Sequence, residues 1–219
     1  MAIQSPDILT FKQNLDATIT AIKQHRADSH AAIKIQSMLN VTAYVQASRF
    51  LEGSIKHIVY NCCIMKGYTT AQLSSLESDL KKFNNPEFTK IRDLFKTILN
   101  FDILDGRNNG NFSQTDITFL NQIVQNRHRN VHASQDSSSW YNQNQKDITN
   151  FQQEFPSLIK IIDYLSNLNF NKSGKPANLV SNKNPIQHTA FSNTQSIQQN
   201  RVTQKIEKFN LWKWFKKII

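Results

Sequence analysis

Six consecutive residues, Arg127-His128-Arg129-Asn130-Val131-His132, carry the densest chemistry in this 219-residue chain. Read as R-x4-H, they combine a permanent charge with a group that titrates near neutral pH. A guanidinium forks onto phosphate oxygens and can stabilise charge building on a phosphorane-like transition state. An imidazole can take a proton from one oxygen and give it to another. RNA brings its own nucleophile, the 2′-hydroxyl. Cleaving its phosphodiester then needs a proton acceptor, a proton donor and charge stabilisation, but no metal.

An amphipathic helix must position these groups. Ser113 and Asp116 mark its start, Asp standing where a capping box usually has Glu. At about 100° per residue, with Ile117 as zero, Leu120, Val124 and Val131 fall within about 60° on one side. Arg127 then lies at about −80°, His128 at about +20° and His132 at about +60°, on or beside that apolar face. Arg129 points well away, as ordinary surface. A charge on an apolar face is unfavourable unless it is paired or faces a wet cleft. A cleft between helices or a facing subunit would satisfy it. The plainer reading is that Arg and His near a helix C-terminus complement the macrodipole. His128 and His132 also have two-histidine metal spacing. No acid separates them, however, and Arg127 would repel a cation, so no metal is expected. The chain has no glycine-rich phosphate loop and no distinctive Ser or Cys nucleophile, and no cofactor is expected.

The other elements read as helices. Ser5-Pro6-Asp7 starts one that runs to about His25. Ser29 can cap a longer one with the stripe Val41, Val45, Leu51, Ile55, Ile58, Val59 and Cys62, ending near Gly67. A third starts at Thr70 with Leu73, Leu76 and Leu80. Asn85-Pro86-Glu87 opens a fourth, with Phe88, Ile91, Leu94, Phe95 and Ile98 on one face. Asp102 to Phe112 reads as a loop with two glycines. After the motif and a polar stretch from Ser134 to Gln145 comes a last helix bearing Phe151, Phe155, Leu158, Ile162 and Leu165. Pro156 inside it should kink or restart it. No period-2 pattern persists, and Gly and Pro number five each. The expected fold is all-α.

Charge divides the chain unevenly. The net +10 comes from 17 Lys/Arg and 15 Asp/Glu over residues 1–167, against 9 and 1 over 168–219. A near-neutral domain thus precedes a basic extension that would attract phosphate on nucleic acid or lipid. Cys62 and Cys63 are adjacent, which suits neither a staple nor a metal motif. They read as small helix residues in a reducing cytosol. No signal peptide and no membrane-spanning run is seen. The expected organisation is a helical domain over 1–168, a polar flexible linker over 169–204 and a basic amphipathic tail over 205–219. In the tail, Trp212, Lys213, Trp214, Lys216 and Lys217 form a cationic aromatic patch. It suits a partner protein or its own domain, RNA, or a membrane surface.

Three stretches, ASRFLEGSIKHIV (47–59), LKKFNNPEFTKI (80–91) and NRHRNVHAS (126–134), together resemble the HEPN superfamily, in its RiboL-PSP-type branch. The resemblance covers roughly Tyr44 to Leu168. It implies a helical bundle that forms a homodimer, the motifs of two protomers sharing one cleft. It also implies a metal-independent endoribonuclease of the toxin–antitoxin or antiphage kind, cytoplasmic, with RNA as substrate and an antitoxin or defence-system protein as a partner. Carried over by position, Arg127 and His132 form the catalytic pair and His128 their polar companion. Glu52 is a supporting candidate beside the plainer reading of a helix-surface acid. Ala133 stands where that family often has Gly after the motif histidine. Two other classes stay open: a non-catalytic HEPN module that binds RNA or regulates a partner protein, and a membrane-active effector acting through the tail.

Overall fold

The computed structural model describes residues 3, 5–28, 33–131 and 148–170. Seven helices make up the regular structure of these residues: Pro6–Ala27 (α1), Ile33–Met65 (α2), Thr70–Lys82 (α3), Phe88–Leu99 (α4), Leu104–Asn108 (α5), Gln114–Val131 (α6) and Ile148–Ser166 (α7). The described residues adopt the expected all-α fold. The cap at Ser29, His132, the stretch 134–145, most of the linker and the whole tail lie outside the described residues.

Helix α2 is the hub, with α1, α3, α4, α6 and α7 packed around it. Its sequence explains why. From Phe50 to Tyr60 every residue except Glu52 is buried. Gly53, Ser54 and Ser48 keep the helix slim enough for neighbours on several sides, while Leu51, Ile55, Ile58 and Val59 fill the gaps between them. Full burial of one such aliphatic side chain is worth about 1.5–3 kcal/mol. Nearer the start of α2 the stripe is shifted from the expected one. Val41 and Val45 are half-buried, whereas Ala43, Tyr44 and Ala47 are buried. Tyr44 meets Phe151 of α7 edge-on at 5.1 Å, and that contact turns this side of α2 inward. All five expected core residues of α7 are buried.

The helix ends follow the punctuation in the sequence. Gly67 has φ +84°, and Tyr68 N–H returns to Cys63 O at 3.1 Å, a Schellman stop that needs a residue without a Cβ penalty. Thr69 and Gln72 form a reciprocal capping box on α3. Ser113 and Asp116 do the same for α6, with Ser113 N–H donating to Asp116 Oδ2 at 2.6 Å and Asp116 N–H to Ser113 Oγ at 3.2 Å. Helix α4 begins later than its Asn-Pro-Glu signal, at Phe88, and the Phe88 N–H donates to Asn121 Oδ1 of α6 at 2.8 Å.

One expectation is corrected and another is narrowed. The stretch 102–112 is not all loop, because it contains α5. Asp102 organises it: its Oδ1 accepts the Leu104 N–H at 3.1 Å and its carboxylate takes two 2.7 Å bonds from Arg92. Those contacts hold the Asp102 pKa well below the ordinary carboxylate range, chiefly through the Arg92 hydrogen bonds. Gly106 is buried within α5; a Cβ there would lie 2.5 Å from Phe112 Cε1 and 2.6 Å from Tyr164 Cζ. At Pro156, no fresh start occurs; α7 runs through it as one helix. Phe151, Phe155, Leu158, Ile161, Ile162 and Leu165 are all buried, and that packing outweighs the one backbone hydrogen bond proline removes.

Candidate functional site

Helix α6 lies against α2 and α7, with α4 touching it as well. Flanked on several sides, it buries a broad arc. Asp116, Ile117, Phe119, Leu120, Ile123 and Val124 are all buried, whereas Gln114, Thr118 and Gln125 are exposed. On the helical scheme these buried positions run from about −160° to 0° relative to Ile117. Arg127, at about −80°, therefore interrupts the buried arc, as its spacing implied, and sits at its middle.

The cation in that position is paired. Arg127 Nη1 donates to Glu52 Oε2 of α2 at 3.3 Å. The other oxygen of the same carboxylate, Oε1, accepts a 2.8 Å bond from Lys56 Nζ one turn further along α2. The three side chains grade outward: Lys56 is 6% exposed, Glu52 18% and Arg127 28%. The innermost cation is deeply enclosed and the outermost borders solvent. Burial pushes the Lys56 pKa below the ordinary lysine value. Glu52 opposes that shift by hydrogen bonding and charge, and Arg127 adds to it by repulsion. Glu52 is thus no solvated surface acid; it bridges the motif arginine to the hub helix.

Position 128 belongs to α6, but the His128 side chain is not among those described, and neither are the side chains of Arg129, Asn130 and Val131. His132 and Trp212, Lys213, Trp214, Lys216 and Lys217 of the tail lie outside the described residues.

A search of protein-family models, of curated proteins and of solved structures finds no match to this chain.

Sequence reasoning missed Lys56, although a signal was present: it follows Glu52 by four residues on a helix, the spacing and order that favour an ion pair. It also missed a polar cluster where α1 meets α2. Ser5, placed as the N-cap of α1, makes no side-chain cap. Instead its Oγ lies 2.8 Å from His57 Nε2, and Asn61 Nδ2 lies 2.8 Å from the same nitrogen. Asp7 Oδ2 is 3.5 Å from His57 Nδ1. Burial lowers the His57 pKa, with Asp7 pulling the other way. This cluster is joined from residues 52 positions apart, which no local pattern could announce.

Cys62 and Cys63 are free and buried, as small helix residues should be. Among the described residues no helix is long and apolar enough to cross a membrane.

Proposed function

We propose that this chain is a metal-independent endoribonuclease of HEPN type, working as a cytoplasmic homodimer in growth arrest or antiphage defence. Arg127 binds the scissile phosphate and stabilises its developing charge. His132 carries the proton transfers that accompany 2′-hydroxyl attack and departure of the 5′-oxygen. His128 assists at the same phosphate. One observation carries this reading: the motif arginine occupies the centre of the buried arc of α6, yet keeps 28% of its side chain exposed and is held from behind by Glu52. A guanidinium fixed at a rim in this way can present its remaining N–H groups to an anion.

The test is cleavage of a labelled RNA by the purified chain in excess chelator. Arg127→Ala and His132→Ala should each lower the rate by at least about a hundredfold, the lower range for a lost proton-transfer group or charge stabiliser. Both variants should keep the helical circular dichroism of the parent. Full cleavage by both would exclude the assignment.

The Arg127–Glu52 bond also favours a second reading, because it gives the arginine a partner within the fold. On that reading the chain is a non-catalytic HEPN module that binds RNA or a partner protein. It predicts RNA or partner binding by the wild type without strand scission.

A further inference from the structure

Glu52 poses a problem for any role of Arg127 at phosphate. A carboxylate bonded to the guanidinium competes with the substrate anion and repels it. Lys56 answers that problem. It binds the opposite oxygen of Glu52 at 2.8 Å, a shorter contact than the 3.3 Å bond to Arg127. It lies four residues from Glu52 on the same helix, so the Glu52–Lys56 pair is local to α2, whereas Arg127 is 75 positions away. With all three groups charged, the cluster has a net charge of +1. Without Lys56 it would be neutral, and Arg127 would be the sole counter-ion of Glu52. At 6% exposure, Lys56 lies too deep to be the phosphate contact itself. That contact falls to Arg127, the most exposed of the three.

We propose that Lys56 is a positioning residue: it occupies and neutralises Glu52, so that Glu52 orients the Arg127 guanidinium without withholding it from an RNA phosphate. This inference rests on the endoribonuclease reading above. Glu52 engages Arg127 through Nη1 alone. The rest of the planar fork can then face the substrate, as bidentate phosphate recognition requires.

The experiment is steady-state RNA cleavage by the full chain with four variants: Lys56→Met, Lys56→Arg, Glu52→Gln and the double Lys56→Met/Glu52→Gln. Lys56→Met should raise KM about tenfold, the order of one charge-assisted hydrogen bond from Arg127 to Glu52 with which the phosphate must then compete, with a smaller change in kcat. Lys56→Arg should restore KM. The decisive comparison is in the Glu52→Gln background. With the carboxylate gone no anion competes with the phosphate for Arg127, so the double variant should have the KM of Glu52→Gln alone. A lysine that only supports the fold would give a loss that persists in that background. Lys56→Gln replaces Lys56→Met should the latter lose its helical signal.

Wild-type KM in Lys56→Met, or an equal loss with and without the Glu52 carboxylate, overturns the role of Lys56 while leaving the nuclease standing. Failure of the wild type to cleave RNA overturns the nuclease reading and this inference with it.

Discussion

Removing Glu52 and removing Arg127 should have opposite rankings in stability and in activity. Glu52→Ala takes a carboxylate partner from Lys56, whose side chain is 6% exposed, and from Arg127 at once. Breaking a buried pair by deleting one member costs about 3–5 kcal/mol. Part of this cluster reaches solvent, which places the expected loss at about 2–3 kcal/mol. A ceiling follows independently, since Lys56 can lose its proton. Neutralising a lysine at pH 7 costs about 1.36 kcal/mol for each unit up to about 10.4, close to 5 kcal/mol in all. Arg127→Ala leaves the Glu52–Lys56 pair intact and should cost only about 1 kcal/mol. Urea unfolding followed by circular dichroism reads both, provided the slope m is unchanged between variants. On the nuclease reading the order reverses in the cleavage assay, where Arg127→Ala is the more damaging. Equal midpoints for the two variants, or a larger loss for Arg127→Ala, would refute the view that Lys56 depends on Glu52.

Three other outcomes are expected. The folded His57 pKa is below its ordinary 6.5, so the unfolded chain binds the proton more readily. Stability from this group is therefore complete above about pH 6.5 and declines as pH falls below it; a urea midpoint series from pH 7.5 to 5.5 should flatten in His57→Gln. Gly106→Ala should cost about 1–3 kcal/mol or more, because its methyl would overlap the Tyr164 and Phe112 rings; an unchanged midpoint would show that α5 shifts freely. Burial pushes the Cys63 thiol up to about 11 and the Cys62 thiol higher still, so both should resist a thiol reagent at pH 8 and react once denatured, as counted by absorbance.

The sequence by itself determined the helices and most of their ends. Apolar spacing marked α3, α4, α6 and α7, and Gly67, the Ser113–Asp116 pair and Pro6 supplied the punctuation, because these signals act within one or two turns. It also singled out Arg127 as a cation out of place. Tertiary structure decided the rest. Residues 102–112 became partly helical because Asp102 found Arg92 and Gly106 admitted two rings. The buried arc of α6, which Arg127 was expected to interrupt, is covered by α2 and α7, and that packing set the arginine opposite Glu52. Glu52, one acid among 16, gained meaning only when folding set it against an arginine 75 residues away. Periodicity reports which way a side chain faces along its own helix. What it meets there depends on how helices are arranged around α2, and no local spacing encodes that.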